Sequence, residues 1–283
     1  MMTKANAVLV GVTFMLGLAT QSSAAEKKVL VYTRNFTPDG KGYVHDNIKA
    51  SVEAIRQMGR DNGFAVDVSD DPKMFTDKNL AQYKALVFSN SNNEAFENDP
   101  QRDAFKRYIR GGGGFVGIHS ASGSEREWEY YWSVLGGKFK RHPKQQSFTV
   151  RVVDPKHPAT RDLPASFTWG PEECYYHDHL GKDIKPLLVV DPAKLDDPKK
   201  NEYPGKLFGD AMPIAWYQTF DGGREFYTAL GHNIPAYKDP LLTKHILGGI
   251  LWAMGEKPYP VDAPATTTAP ADHADEFKKP QAR

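Results

Sequence analysis

The chain of 283 residues predicts an α/β fold: a mainly parallel sheet covered by helices, followed by a β-rich second half. Three observations carry this. Short β-branched runs alternate with helix-period runs as far as residue 118, the pattern of successive βαβ units. Four glycines at 111–114 run straight into "FVGIH", a strand that ends on a polar turn. Beyond residue 145 apolar runs follow one another with turn signals between them and little helical period.

Taken in order, "KKVLVYTRN" is a buried strand bounded by charge and Asn. "VHDNIKASVEAIRQMGRDNG" places Ile48, Val52, Ile55 and Met58 at helical spacing, with Gly63 as the C-terminal cap. "FAVDVSDD" and "ALVFSNS" are the next two strands. "NDPQRDAFKRYIRGG" is a helix with Asp99 as N-cap, Pro100 at its first position and Gly111 past its end. "QSFTVRVVD", "SFTWG", "PLLVVD", "MPIAWYQTF" and "GREFYTALGH" follow as strands, and "FDGGRE" is a hairpin turn between the last two. "DPLLTKHILGGILWAMG" closes the domain as a helix with Leu242, Ile246, Ile250 and Ala253 on one stripe.

The two ends read differently. Lys4, an apolar stretch over residues 5–19 and the small residues Ser23 and Ala25 form a secretory signal pattern over residues 1–25, with cleavage before Glu26. The apolar stretch is shorter than the roughly 20 residues a membrane span needs. The expected location is therefore periplasmic or secreted. Residues 259–283, rich in Pro, Ala and Thr, form a disordered tail, which leaves 26–258 as the folded unit. Net charge is +1 with no long basic run, so no nucleic-acid partner is expected. The single cysteine, Cys174, has no partner for an intrachain disulfide and sits beside Glu172 and Glu173, which disfavour a thiolate; it is read as structural.

In parallel α/β sheets ligands sit beyond the carboxyl ends of the strands. That rule singles out the loops after Tyr32–Asn35 and Ser89, and the turn at His119. Gly117-Ile118-His119-Ser120-Ala121 has the shape of a nucleophile elbow, with histidine where a Ser or Cys nucleophile would stand. Histidine there serves as general acid or base, metal ligand or hydrogen-bond donor. His45, just past the first strand, and His232, at the end of "FYTALGH", sit where they can converge with it. His142 in "GGKFKRHP" and Glu173 and Tyr175 in "PEECYY" complete the set. Histidines with a carboxylate suit a divalent metal, so His232 with His45 and His119 is a candidate ligand group. His119 and Glu173 are the candidate catalytic pair, and His45, His142, Tyr175 and Trp216 the candidate substrate contacts. The only local pair, His177 and His179, reads as a solvated loop, and His157 and His245 as structural.

The segments "GGGGFVGIHSA", "GGKFKRHP", "DPKHPATRDLP", "EECYYH" and "GREFYTALGH", in this order from about Val29 to Met254, resemble the ThuA-like (trehalose-utilisation) domain. The resemblance implies a flavodoxin-like sandwich, as in class I glutamine amidotransferases, but without their elbow cysteine. His119 at the elbow matches that difference, which argues against glutamine hydrolysis. It also implies a role with trehalose and related disaccharides by way of 3-keto-glycosides, and marks His45, His119, His142, Glu173, Tyr175 and His232 as recurring polar positions. This chain departs from the family's Asp-Glu-Leu-Tyr at Glu172 and Cys174. Three classes of function fit: an enzyme acting on a carbohydrate by His/Glu chemistry with or without a metal, a non-catalytic sugar-binding protein, and an interaction module. A tight polar cluster in one cleft discriminates the first.

Overall fold

The computed structural model describes residues 27–202 and 208–255. Along the chain it forms β1 (Lys28–Tyr32), β2 (Asn35–Phe36), α1 (Ile48–Asn62), β3 (Ala65–Ser69), α2 (Asp77–Leu80), β4 (Ala85–Ser89), β5 (Asn92–Asn93), α3 (Asp99–Arg110), β6 (Gly114–Ile118), α4 (Glu129–Leu135) and β7 (Lys138–Arg141). Then come β8 (Gln146–Val152), β9 (Ser166–Glu172), β10 (Tyr176–Asp178), β11 (Lys185–Val190), β12 (Met212–Phe220), β13 (Gly223–Thr228) and α5 (Pro240–Ala253). The expected signal segment and C-terminal tail lie outside the described residues. Among those described, no helix is long and apolar enough to cross a membrane.

Nine strands join one mixed sheet in the order β3-β1-β4-β6-β13-β12-β11-β8-β9. From β3 to β13 every pairing is parallel. From β13 to β9 every pairing is antiparallel. Direction therefore alternates across the second half, and β9 runs the same way as β13. The carboxyl ends of β1, β4, β6, β13 and β9 all open on one edge.

The central strands β4 "ALVFS" and β6 "GFVGI" are buried at every position, as expected for strands covered on both faces. α1 buries Val52, Ile55 and Met58, and Gly63 closes it in the left-handed region (φ 71°). α5 buries the stripe Leu242, Ile246, Ile250 and Ala253, and the Asp239 side chain caps it on the Leu241 N–H. The β12–β13 turn puts Asp221 and Gly222 at φ 47° and 97°, the two left-handed positions that an Asp-Gly hairpin supplies.

Two expectations shift. α3 is capped one residue earlier than predicted: extended Asn98 accepts the Gln101 N–H, and Asp99 and Pro100 occupy the first turn. Pro100 has no N–H to leave unsatisfied there. The elbow strand leads into a 3-10 turn over His119–Gly123, and α4 starts only at Glu129. The two-residue parallel pair β2–β5 and the hairpin-like pair β7–β10 are too short to show in the sequence pattern. The second of these brings Tyr175 and His142 to the site.

Candidate metal centre at the carboxyl edge of the sheet

His119 follows β6 with φ 52°, a left-handed conformation that is uncommon outside glycine and clusters at functional sites. Asn90 and Asn93 after β4, and Glu125 after the 3-10 turn, share this strained region along the same edge. The His119 ring is fully buried. Its Nδ1–H donates to the Ala229 carbonyl at 2.7 Å, which leaves Nε2 as a bare lone pair. The backbone carbonyl of His119 accepts from the Tyr227 hydroxyl, so the turn is held from below as well.

That lone pair is the focus of the site. His45 Nε2 lies 3.2 Å from it, His232 Nδ1 3.3 Å and Glu173 Oε2 3.5 Å. His232 Nδ1 and Glu173 Oε2 are 3.2 Å apart. The four ligand atoms all lie within 4.8 Å of one another, and all four residues are buried. A tetrahedron with bonds of about 2.0–2.1 Å has edges of about 3.3–3.4 Å. Four of the six edges here match that size. Three imidazoles and one carboxylate form a donor set suited to a divalent transition ion, zinc among them.

Electrostatics favour ligation at His45 and Glu173, whereas His232 is drawn toward its protonated form by the carboxylate. Burial, with His119 and His232 adding to it, lowers the His45 pKa to about 3, so this imidazole is neutral and able to ligate. Burial opposes the charge on Glu173, but the imidazoles of His119, His232 and His142 gathered round it outweigh burial and hold the carboxyl well below the usual range. Burial likewise opposes the charged form of His232, and Glu173 outweighs it, raising that pKa. Gln145 meets His232 Nε2 at 2.8 Å. The atom facing it is the amide nitrogen, which donates to Nε2; an ion on Nδ1 requires the amide flipped so that its oxygen accepts Nε2–H, an orientation set by the hydrogen-bond network.

Supporting groups set the ligands in place. Glu172, whose role the sequence left open, is almost fully buried. It accepts from Trp169 Nε1 and from the backbone N–H groups of Glu173, Gly231 and His232. One carboxylate thus ties the end of β9 to the loop after β13 and orients two ligands. Gly231 makes that approach possible with φ 114°, where a Cβ would meet the Tyr237 hydroxyl at 2.8 Å. Asn47 donates to the Gly231 and His232 carbonyls, each at 2.7 Å, and so ties the His45 loop to the His232 loop. Glu172→Gln swaps an acceptor for a donor facing these N–H groups. We expect metal affinity about 10–100-fold weaker, read by chelator competition, because partners behind the ligands carry effects of that size.

Of the predicted site residues, His45, His119, Glu173 and His232 meet in one cluster. The Tyr175 hydroxyl sits 2.8 Å from His119 Nε2. His142 lies at the mouth, Nε2 3.4 Å from Glu173 Oε1 and Nδ1–H on the Pro143 carbonyl. Trp216 is different. It is fully buried in the floor, donates to the Leu135 carbonyl and packs on Tyr227 and His177, so the stacking role expected of it is corrected to a core role. Trp169 is buried as well, with its indole N–H on Glu172. His177 points inward to the Tyr227 hydroxyl and forms no metal pair with His179. Burial pushes the Cys174 thiol well up, in keeping with a structural role. Sequence reasoning missed Gln145, Asn47 and the positioning role of Glu172. It also passed over Tyr43, two residues before His45 in "KGYVH".

Fold and site together define an α/β protein with a histidine–carboxylate cluster at the carboxyl edge of a mixed sheet. The chain belongs to the ThuA family, described by trehalose utilisation, whose model matches residues 28–253. The structure is similar to that of a ThuA-like protein from Bacteroides uniformis (24% identity, TM-score 0.62, covering 84% of this chain and 95% of that one). A ThuA-like protein from Parabacteroides merdae is similar at 18% identity and TM-score 0.61, covering 84% of this chain and 93% of that one. These likenesses establish the fold, a helix-covered mixed sheet consistent with the flavodoxin-like class. No curated protein matches the chain.

Proposed function

We propose that this protein is a metal-dependent enzyme acting outside the cytoplasm on a disaccharide or 3-keto-glycoside. Family membership ties the chain to carbohydrate-related function. The observation that carries the enzymatic reading is the convergence of His45, His119, Glu173 and His232 into one buried donor set. The location rests on the signal pattern of residues 1–25.

A 3-keto sugar has an acidic proton at C2. Cleavage needs a base for that proton and a positive site for the oxygen on which charge develops. A divalent ion in this cluster would supply the second as a Lewis acid. His142 supplies the first. Its Nδ1–H is committed to the Pro143 carbonyl, which orients the ring and leaves Nε2 to exchange the proton, and Glu173 Oε1, 3.4 Å from Nε2, stabilises the imidazolium that forms. The C2–H electron pair forms the C1=C2 bond as the C1–O bond breaks, and the proton held on His142 passes to the departing oxygen. Release at this stage is a lyase reaction; addition of water across C1=C2 completes hydrolysis. Tyr175 keeps its hydroxyl at the centre, next to His119 Nε2, where it donates to an oxygen in that position.

The test is metal analysis of the purified chain followed by a turnover assay with 3-keto-trehalose. Stoichiometric metal, and cleavage abolished by chelation and restored by zinc or manganese, is the expected result. Saturable sugar binding without metal or turnover would overturn it and leave a sugar-binding protein.

A further inference from the structure

The described residues expose five large hydrophobic side chains: Phe36, Tyr43, Val44, Val153 and Ile234. Single exposed apolar residues are ordinary on any protein surface. Their placement here is not scattered. Tyr43 (62% exposed) and Val44 (56%) immediately precede His45, and Ile234 (45%) lies two residues after His232. The Tyr43 ring stands edge-on to the His45 imidazole with centroids 4.7 Å apart. Asn92 fixes the Tyr43 backbone by donating to its carbonyl. Asn47 ties the segment that carries Tyr43 and Val44 to the segment that carries Ile234. The aromatic rings among the candidate substrate contacts, those of Tyr175 and Trp216, are both buried.

We propose that Tyr43, Val44 and Ile234 form an apolar collar that receives the aglycone of a glycoside whose sugar ring is held at the histidine–carboxylate cluster. The preferred substrate class is then an amphipathic glycoside with an aryl or similarly apolar aglycone, rather than one built of two sugars. This rests on the carbohydrate-directed reading of the site. Two features favour an aglycone over a protein partner. Three side chains cover the area of about one ring, far below the roughly 800 Å² per partner of a stable protein interface. The Tyr43 ring also packs directly against the ligand His45, so a group seated on it is continuous with one seated at the centre. An aromatic ring with a polar end suits such a boundary.

The experiment uses matched phenyl and methyl 3-keto-glucosides of both anomeric configurations. Binding of each to the metal-loaded chain is measured by calorimetry, and turnover is followed in parallel. The phenyl compound of the productive anomer is expected to bind at least about tenfold tighter than the methyl one. In a Tyr43→Ser/Val44→Ser double variant that preference falls to within about twofold, with metal content unchanged. Equal binding of the two compounds by the parent chain, or a preference retained in the double variant, overturns the proposal. Equal binding with turnover intact leaves the proposed function standing and removes the collar alone. Absence of both binding and turnover overturns the two together. A concentration-dependent dimer lost in the double variant, with equal binding, would assign the patch to a second copy of the chain instead.

Discussion

Replacing His119 by asparagine is expected to give a folded protein that retains no stoichiometric metal and has lost more than about 100-fold of its turnover of a 3-keto-glycoside. The magnitude follows from position. Residues that merely orient metal ligands are worth about 10–100-fold, so a ligand that shares an edge with each of the other three is worth more. Asparagine is the right replacement because residue 119 sits at φ 52°, a conformation in which Asn, like His, is enriched among residues with a Cβ. His119→Ala puts a residue without a polar side chain where His and Asn are enriched. It would blur lost chemistry with lost stability. The backbone carbonyl of residue 119 still receives the Tyr227 hydroxyl in either variant, so the turn keeps its anchor. Metal content by mass spectrometry, kcat/KM and the thermal transition are read together. Full metal occupancy in His119→Asn would remove His119 from the ligand set. Unchanged kcat/KM with the metal gone would remove the metal from the reaction.

The strands of the nine-stranded sheet and the long helices were legible because their signals are local: β-branched runs, Asp-Gly at a hairpin, and Gly63 at a helix end. The rule that ligands lie at carboxyl ends found the His45 loop, the turn at His119 and the end of β13. It did not reach Glu173 by itself. Glu173 comes to the same edge only because direction alternates from β13 through β12, β11 and β8 to β9, and that pairing order is a long-range property. Trp216 misled for a related reason. On β12 the burial runs through five consecutive residues before any polar-out alternation appears, because both faces of the sheet are covered there. No periodicity then separates an inward ring from an outward one. Gln145, Asn47 and Glu172 were invisible because their work is to join segments far apart in the chain. Asn47 reaches across to residues 231 and 232, and Glu172 to the same pair from the opposite side.

Acid should unfold this protein steeply, with a midpoint between about pH 4 and pH 5, on account of histidines outside the site. Burial lowers the pKa of His157 and His177 to about 3 and of His245 to about 4, while an unfolded chain protonates histidine near 6.5. The sign follows from proton counts. Below pH 6.5 the unfolded state binds protons that the folded state refuses, so stability is fully present above that pH and is lost as pH falls toward the folded values. Each group contributes a slope of about 1.4 kcal/mol per pH unit once the unfolded state is fully protonated, and the three together about 4 kcal/mol per unit. Two units of acidification remove about 8 kcal/mol, which exceeds the lower end of the typical total of about 5–15 kcal/mol. The geometry offers clean controls. His157 Nδ1 accepts the Ala159 N–H at 3.1 Å, and His245 Nδ1–H donates to the Ala159 carbonyl at 2.8 Å. An asparagine amide can take over either bond without titrating. His157→Asn and His245→Asn should each flatten the acid limb by about 1.4 kcal/mol per pH unit in denaturant titrations run between pH 4 and pH 7, whatever each substitution does to stability at neutral pH. Acid limbs that run parallel to that of the parent chain would mean that these rings do not carry the acid sensitivity. The loss above about pH 4.5 would then lie with other groups, since the depressed carboxyl of Glu173 gives up its contribution only as pH falls below the ordinary carboxylate value.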